Sequence, residues 1–442
     1  MINQTAAYSN KKDTIDGVIY FFMTMFIVTV SFSTFLSNFA LYSAIAALLY
    51  ARATDKTGSE FKYHKLYFIM LIFIIANIIG LFTSGLGIAK IGKIKNVMAF
   101  LAFFLAYEKG ALLMDKLKMI FTLQITNFIM LITAITTTAL DLTDIVYLQD
   151  FVNWPVKYSG LFEVPITYGE FLVMLQCLSV GILLGAKDFF KNTLERGFFI
   201  ALIAANMLAL TLTYSRGPWV AMLVALSSLL FVNKYYRTLG ALFAVSALAL
   251  LMVIYPPVKN NQLLNDINLR VTSTLKGYSS GREVIYAVGL KMIKDSPLSG
   301  VGIGGVEKNY AGYVNKIEWA PLERKQMVYG HLHNLYLQIY AETGLIGFAS
   351  FIWLCVCLLH SLAVKSFKSC DSVSGMERAY AAGTFLAFVS VLIMGFSEYN
   401  MFNNEISRIL WFYAGMALGA GGAEAAIKPA TVVKPAGSEF II

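Results

Sequence analysis

Long apolar runs separated by short charged segments make up most of the chain, and this pattern predicts membrane-spanning helices. A helix that crosses the hydrocarbon core needs ~20 mostly apolar residues. Twelve runs approach this length, although the second and fourth are short and contain polar residues. They lie at 17–35, 37–51, 66–84, 97–113, 119–140, 167–186, 198–214, 218–233, 239–256, 335–362, 378–398 and 404–421. We therefore expect an all-α polytopic membrane protein with about 12 transmembrane helices.

The predicted spans divide the chain into four regions. Residues 1–256 hold helices one to nine, and residues 335–421 hold helices ten to twelve. Between them, residues 257–334 form one large loop, the only one with room for a small subdomain containing short helices. Residues 422–442 are rich in Ala, Gly and Pro and are expected to be a disordered cytoplasmic tail.

The distribution of charged residues supports this division of the chain and predicts which side of the membrane each loop occupies. Only 14% of the residues are charged, against about 25% in an ordinary soluble domain. With the N-terminus in the cytoplasm, the loops richest in Lys and Arg all fall on the cytoplasmic side, as membrane proteins prefer. These loops are 52–65, 108–118, 187–196, 234–237 and 364–377, and only Lys90, Lys93 and Lys95 break the rule. The net charge of +9 therefore does not indicate nucleic-acid binding, and the four cysteines imply no disulfide framework.

Two of the four histidines stand together just before the tenth span, in His331-Leu332-His333-Asn334. In an extended segment the two rings would share a face and could hold a metal ion, whereas in a helix they would diverge. No third ligand with convincing spacing accompanies them, so we predict neither a metal nor another cofactor. The remaining alternatives are a single histidine acting as a general base and a structural histidine at the membrane interface.

Two arginines stand at predicted helix starts on the same outward side. Arg216 lies in Tyr214-Ser215-Arg216-Gly217-Pro218-Trp219, where a turn leads into the eighth span. Free N–H groups at a helix N-terminus favour an anion, and a guanidinium matches phosphate oxygens. The alternative is an arginine that reaches the interface from a helix end.

Arg282 begins a predicted amphipathic helix that we expect to lie along the bilayer surface. Ser280 and Glu283 have capping-box spacing, and apolar residues recur at helical intervals from Val284 to Met292. A cation in the first turn opposes the helix dipole by ~0.3–1 kcal/mol, which suggests an anionic partner. That partner is either a ligand or a nearby acidic side chain.

Two other motifs carry no predicted chemistry. The glycine-rich run at 300–305 lacks the strand and helix of a nucleotide-binding unit, so we interpret it as a turn. Asp141 and Asp144 stand in an outward loop, where carboxylates are usually solvated.

Arg216, Arg282 and His333 come from separate segments, yet the charge pattern puts all three on the outward face. Two guanidinium groups can hold a leaving pyrophosphate, and an imidazole can deprotonate an attacking hydroxyl. Because ATP is absent outside the cell, an activated substrate would arrive on a lipid. A transporter of anionic lipids is an alternative, although the spans hold few charges near their centres.

Three segments of the chain resemble the O-antigen ligase and O-antigen polymerase superfamily of bacterial envelope glycosyltransferases. They are Ser215-Arg216-Gly217-Pro218-Trp219, the pair Gly281-Arg282 leading into 297–302, and His333-Asn334-x9-Gly344-x2-Gly347. The last is similar to the signature of lipopolysaccharide O-antigen ligases, and the likeness extends over about 17–421. Lys157 stands where members of the family often have arginine.

The resemblance implies a GT-C-like, metal-independent, inverting glycosyltransferase in the bacterial inner membrane, with its active site facing the periplasm. Its donor would be a glycan on undecaprenyl pyrophosphate, and its acceptor the lipid A–core. By this likeness His333 is the base, and Arg216 and Arg282 bind the pyrophosphate. Possible supporting residues are His331, Asn334, Lys157 and Ser215. An O-antigen polymerase, which joins lipid-linked repeat units, is the alternative within the family.

Overall fold

The computed structural model is built almost entirely of α-helices. It describes residues 2–54, 63–83, 97–110, 113–139, 152–153, 157–158, 160–162, 164–232, 234, 237, 240, 282–367 and 373–419. The helices of the first half are α1 Ile2–Thr29, α2 Thr34–Thr54, α3 Lys65–Thr83, α4 Phe100–Leu105 with a π-turn at Ala106–Gly110, α5 Lys116–Ala139, α6 Pro165–Gly185, α7 Thr193–Leu212 and α8 Arg216–Val232. Those of the second half are α9 Arg282–Asp295, α10 Gly305–Val314, α11 Leu322–Lys325, α12 Leu335–Phe367, α13 Gly375–Met394 and α14 Asn404–Leu418.

The helices confirm an all-α polytopic membrane protein. Seven described helices are long and apolar enough to cross a membrane, and the apolar stretches Thr14–Thr29 and Arg216–Phe231 are shorter. Every predicted span except 239–256 coincides with a described helix. That span, residues 257–281, the outward lysines and the predicted tail at 422–442 lie outside the described residues, apart from position 240. The strands β1 Val152–Asn153 and β2 Lys157–Tyr158 pair antiparallel within the predicted loop 141–166.

Close helix packing at the centre of the bundle depends on small residues. A Cβ on Gly181 of α6 would lie 2.9 Å from the Cα of Gly383 in α13. A Cβ on Gly383 would in turn lie 2.7 Å from the Cα of Leu178. Small residues let membrane helices approach this closely, and the gain is van der Waals contact over their length. The pair α6–α13 therefore forms the rigid centre on which the functional end of the bundle is built.

Residues 282–334, the described part of the predicted large loop, contain short helices that pack around a shared apolar core. This core includes Val284, Ile285, Val288, Met292, Val306, Tyr310, Val314 and Leu332. The apolar face of α9, which we expected to meet the bilayer surface, is buried in this core. Gly289 permits the contact, because a Cβ there would lie 2.6 Å from Cδ1 of Leu332. The amphipathic pattern thus reflects burial against protein.

Residues 282–334 are fixed to the bundle at a break in α12. Gly344 interrupts the helix with φ 65° and ψ −167°, and the glycine-rich turn docks there. The N–H of Val301 donates to the carbonyl of Ala341 at 2.7 Å, and the N–H of Leu345 donates to Pro297 at 2.9 Å. The N–H of Gly304 donates to Oε1 of Glu342 at 2.8 Å. The N–H of Gly305 donates to the carbonyl of Gly302 at 2.8 Å, so the run at 300–305 contains a turn. The carbonyl of Ala341 and the N–H of Leu345, which the break leaves without helical partners, are paired in this docking.

Gly344 is expected to be indispensable for this arrangement. An added Cβ would lie 2.1 Å from the carbonyl oxygen of Leu298, and the backbone conformation itself costs a non-glycine residue ~1–3 kcal/mol. Gly344→Ala should therefore lower the free energy of unfolding by at least ~3 kcal/mol, seen as a lower unfolding temperature in detergent. Gly312→Ala is the matched control, because nothing lies within 4 Å of a Cβ there. Equal unfolding temperatures for the two variants would contradict the docking role of the break.

Candidate active site

The site is built around the entry into α12, where Asn334 acts as a structural anchor. The N–H of Leu337 donates to Oδ1 of Asn334 at 2.9 Å, which caps the helix. The Nδ2 of Asn334 donates to the carbonyl of Phe396 at 2.9 Å. The N–H of Leu335 donates to the carbonyl of Gly395 at 2.7 Å. Asn334 therefore ties the start of α12 to the turn that follows α13.

His333 is held between this turn and α9. Its φ of 48° lies in the left-handed region, which non-glycine residues occupy at a cost and often at functional sites. The hydroxyl of Tyr286 in α9 lies 3.3 Å from the carbonyl of His333 and 3.1 Å from the carbonyl of Phe396, as donor to both. Tyr286 thus links the backbone of His333 to α9 and to the turn after α13.

Glu398 contacts both Arg282 and His333, which the sequence predicted to bind pyrophosphate and to act as the base. Its Oε1 accepts a hydrogen bond from Nη2 of Arg282, and its Oε2 lies 3.3 Å from Nδ1 of His333. The side chain of Glu398 is only 13% exposed, whereas those of Arg282 and His333 are 32% and 29% exposed. Of the two partners considered for Arg282, a ligand and a nearby acidic side chain, the structure shows the second. Glu398 was not among the predicted site residues. Its position at the outward end of the eleventh predicted span was the available signal.

His331 lies against His333, with the ring centroids 4.1 Å apart. Of the two arrangements considered for these histidines, the adjacent rings correspond to the one in which they share a face. Nδ1 of His331 accepts a hydrogen bond from the N–H of His333 at 3.3 Å, so the neutral ring carries its proton on Nε2. Burial first, and the neighbouring His333 second, lower the pKa of His331 to about 4. His331 is therefore neutral near pH 7.

The depressed pKa of His331 predicts how the stability of the protein depends on pH. The pKa is about 4 in the folded protein against 6.5 as the ordinary value, so the unfolded chain binds more protons between these limits. The contribution of His331 to the free energy of unfolding is complete above pH 6.5 and decreases as the pH falls towards 4. His331→Gln should make the unfolding temperature less sensitive to pH in this window, measured by thermal unfolding in detergent. Parallel curves for wild type and His331→Gln would contradict the assignment.

Arg216 begins α8 near the same turn. A Cβ on the next residue, Gly217, would lie 3.4 Å from Oγ of Ser397, the neighbour of Glu398. The side chain of Arg216 is exposed. The Oγ of Ser215 donates to the carbonyl of Thr213 at 3.2 Å, a local bond within the turn before the helix. The helix start that carries Arg216 thus packs beside the segment that carries Glu398.

Two predictions about the site remain, one on Lys157 and one on metal binding. Lys157 lies in β2, and its side chain is outside the described part of the chain. Within the described ranges, no group of three His, Cys, Asp or Glu side chains is arranged to hold a metal ion. The prediction that the reaction needs no metal remains a prediction.

The described part of the chain is a mostly helical membrane bundle in which Arg282, Glu398 and His333 meet at one end. Residues 198–352 match the family model described as "O-Antigen ligase". This segment contains Arg216, Arg282 and His333, and the match confirms the resemblance to the O-antigen ligase and polymerase superfamily. The family implies a membrane glycosyltransferase-like enzyme with a lipid-linked glycan and a lipid acceptor as substrates.

Similarity to another protein extends beyond this segment. A protein of Haemophilus influenzae, described as "Uncharacterized protein", is 25% identical over 347 residues. The aligned region covers 75% of this chain and 80% of that protein. The likeness therefore includes much of the membrane bundle as well as the matched family segment.

Proposed function

We propose that the protein is an O-antigen ligase that transfers a glycan from undecaprenyl pyrophosphate to a sugar hydroxyl of lipid A–core. The reaction takes place at the periplasmic face of the inner membrane. One observation supports this function above the others. Arg282 and His333, predicted to bind pyrophosphate and to act as base, contact the two oxygens of one carboxylate.

His333 acts as the general base in this reaction. The acceptor hydroxyl oxygen attacks the anomeric carbon of the donor sugar and forms the new glycosidic bond. The bond between that carbon and the pyrophosphate oxygen breaks, and its electron pair leaves with the lipid pyrophosphate. The hydroxyl proton passes to Nε2 of His333, because Nδ1 faces Glu398. Attack from the side opposite the leaving group inverts the anomeric configuration.

Arg282 and Arg216 stabilise the leaving group. Negative charge grows on the pyrophosphate as the carbon–oxygen bond breaks, and a guanidinium fork offers paired donors to its oxygens. A site that is partly shielded from water strengthens this interaction. Two fixed cations supply the charge compensation, so the proposed reaction requires neither a metal ion nor another cofactor.

The ligase is distinguished from the polymerase by its acceptor. The signature residues Asn334 and Gly344 have structural roles, since they cap and break α12. The same scaffold would therefore serve a polymerase, and experiment must separate the two. Loss of all O-antigen from lipopolysaccharide on deletion of the gene, with accumulation of lipid-linked polymer, is the result expected for a ligase. Core bearing a single repeat unit would instead indicate a polymerase.

Reconstitution tests the reaction itself. Purified protein in vesicles with a lipid pyrophosphate glycan and lipid A–core should form the linked product without ATP and in the presence of EDTA. Activity lost to EDTA and restored by a divalent cation would contradict the metal-independent mechanism. Movement of the donor lipid across the bilayer without product would favour the transporter alternative.

A further inference from the structure

We propose that Glu398 is a positioning residue that orients both His333 and Arg282 for the transfer reaction. This inference rests on the proposed function, because it assigns Glu398 a part in the same step. Glu398 does not touch the reacting atoms and does not take the proton. Its effect passes through the two side chains that it contacts.

The bond to His333 selects one form of the imidazole. A carboxylate oxygen 3.3 Å from Nδ1 accepts a hydrogen bond, so the neutral ring carries its proton on Nδ1. The lone pair then resides on Nε2, the atom that must receive the hydroxyl proton. Once the ring becomes an imidazolium, the negative charge of Glu398 stabilises it.

The bond to Arg282 fixes the direction of the guanidinium. Oε1 of Glu398 accepts from Nη2 alone, and a guanidinium has five N–H donors. One carboxylate oxygen can therefore hold the group in place while other donors face phosphate oxygens. The same carboxylate also offsets a positive charge that is only 32% exposed, which would otherwise be costly to shield from water.

The turn that carries Glu398 is rigidly joined to the segments it serves. The carbonyls of Gly395 and Phe396 accept bonds from the N–H of Leu335 and from Nδ2 of Asn334. The N–H of Glu398 donates to the carbonyl of Met394 at 3.0 Å, which continues the end of α13. Glu398 is thus held at a fixed distance from His333, as a positioning residue requires.

A double-mutant cycle tests the role of Glu398. Glu398→Gln keeps the size of the side chain but lets an amide N–H₂ face Nδ1, which favours the unproductive form of the ring. We expect kcat to fall about 10²–10⁴-fold with a smaller change in KM for the acceptor. In a His333→Ala background the same substitution should have a much smaller effect, because only the contribution that passes through Arg282 remains. Glu398→Asp, which retains the carboxylate, should recover part of the lost rate.

Glu405→Gln is the matched control. Glu405 is a half-buried glutamate at the start of α14 that accepts a bond from Oγ1 of Thr34 at 2.8 Å, and its substitution should leave the rate unchanged. Unfolding temperatures in detergent would establish that all variants are folded. With an active wild type, a wild-type kcat for Glu398→Gln, or equal losses with and without His333, would overturn the positioning role and leave the proposed function intact. A wild-type protein that forms no product from donor and acceptor would overturn both.

Discussion

Replacing His333 by alanine should lower the rate of glycan transfer about 10²–10⁴-fold, the usual contribution of a general base. The acceptor hydroxyl would then lose its proton to water, while Arg216 and Arg282 continue to stabilise the leaving pyrophosphate. The loss should appear in kcat, because the imidazole acts on the hydroxyl only as the new bond forms. Single-turnover measurements with purified enzyme, donor lipid and acceptor would separate this step from substrate binding.

His360→Ala provides the matched control for this experiment. His360 is exposed and lies on the far part of α12, beyond the break at Gly344, so its removal should not change the rate. A His333→Ala enzyme that is folded and transfers glycan at the wild-type rate would eliminate the imidazole as the base. The histidine would then have a structural role, consistent with its hydrogen bonds to α9 and the 395–398 turn.

Lysine in place of either arginine should also reduce transfer, about 10²–10³-fold for each position. Lysine keeps the positive charge but lacks the planar fork that matches two phosphate oxygens. At Arg282 the substitution also removes the donor held by Glu398, so this variant should additionally disturb the orientation of His333. We therefore expect the loss at Arg282 to be the larger of the two, with a raised KM for the donor lipid in both variants.

Arg378→Lys is the control for charge-conserving substitution. Arg378 is a half-buried residue in the first turn of α13, and this helix reaches the site only at its other end. Transfer rates and donor binding measured with the three variants would test the two roles separately. A wild-type rate for Arg216→Lys would indicate that Arg216 only anchors the helix at the membrane interface. Arg282 would then bind the pyrophosphate without it.

The helices were predictable because their sequence signal is local. Each span is a continuous apolar run, and its length is set by the thickness of the membrane, so α3 or α13 can be identified without knowing its neighbours. The amphipathic helix α9 was also predictable from its spacing of apolar residues. The surface that this apolar face contacts was not predictable, because burial in protein and contact with lipid select the same residue types.

The candidate site was predictable only in part. The charge pattern of the loops brought Arg216, Arg282 and His333 to one face, since a helical span fixes which side its ends occupy. Glu398 was not predicted because its position at the outward end of a predicted span does not by itself indicate which residues it contacts. Its role depends on contacts with Arg282 and His333, which lie 116 and 65 positions earlier in the chain.

The sequence by itself determined the class of protein and the positions of most helices, and it led to the proposal of three residues for pyrophosphate chemistry. Only the tertiary structure decided that one carboxylate joins Arg282 to His333, and that Asn334 and Gly344 serve the scaffold. The physical reason is that apolar periodicity and charge asymmetry act along the chain, residue by residue. Hydrogen bonds between side chains require that distant segments meet at ~3 Å, and this depends on how the whole bundle packs.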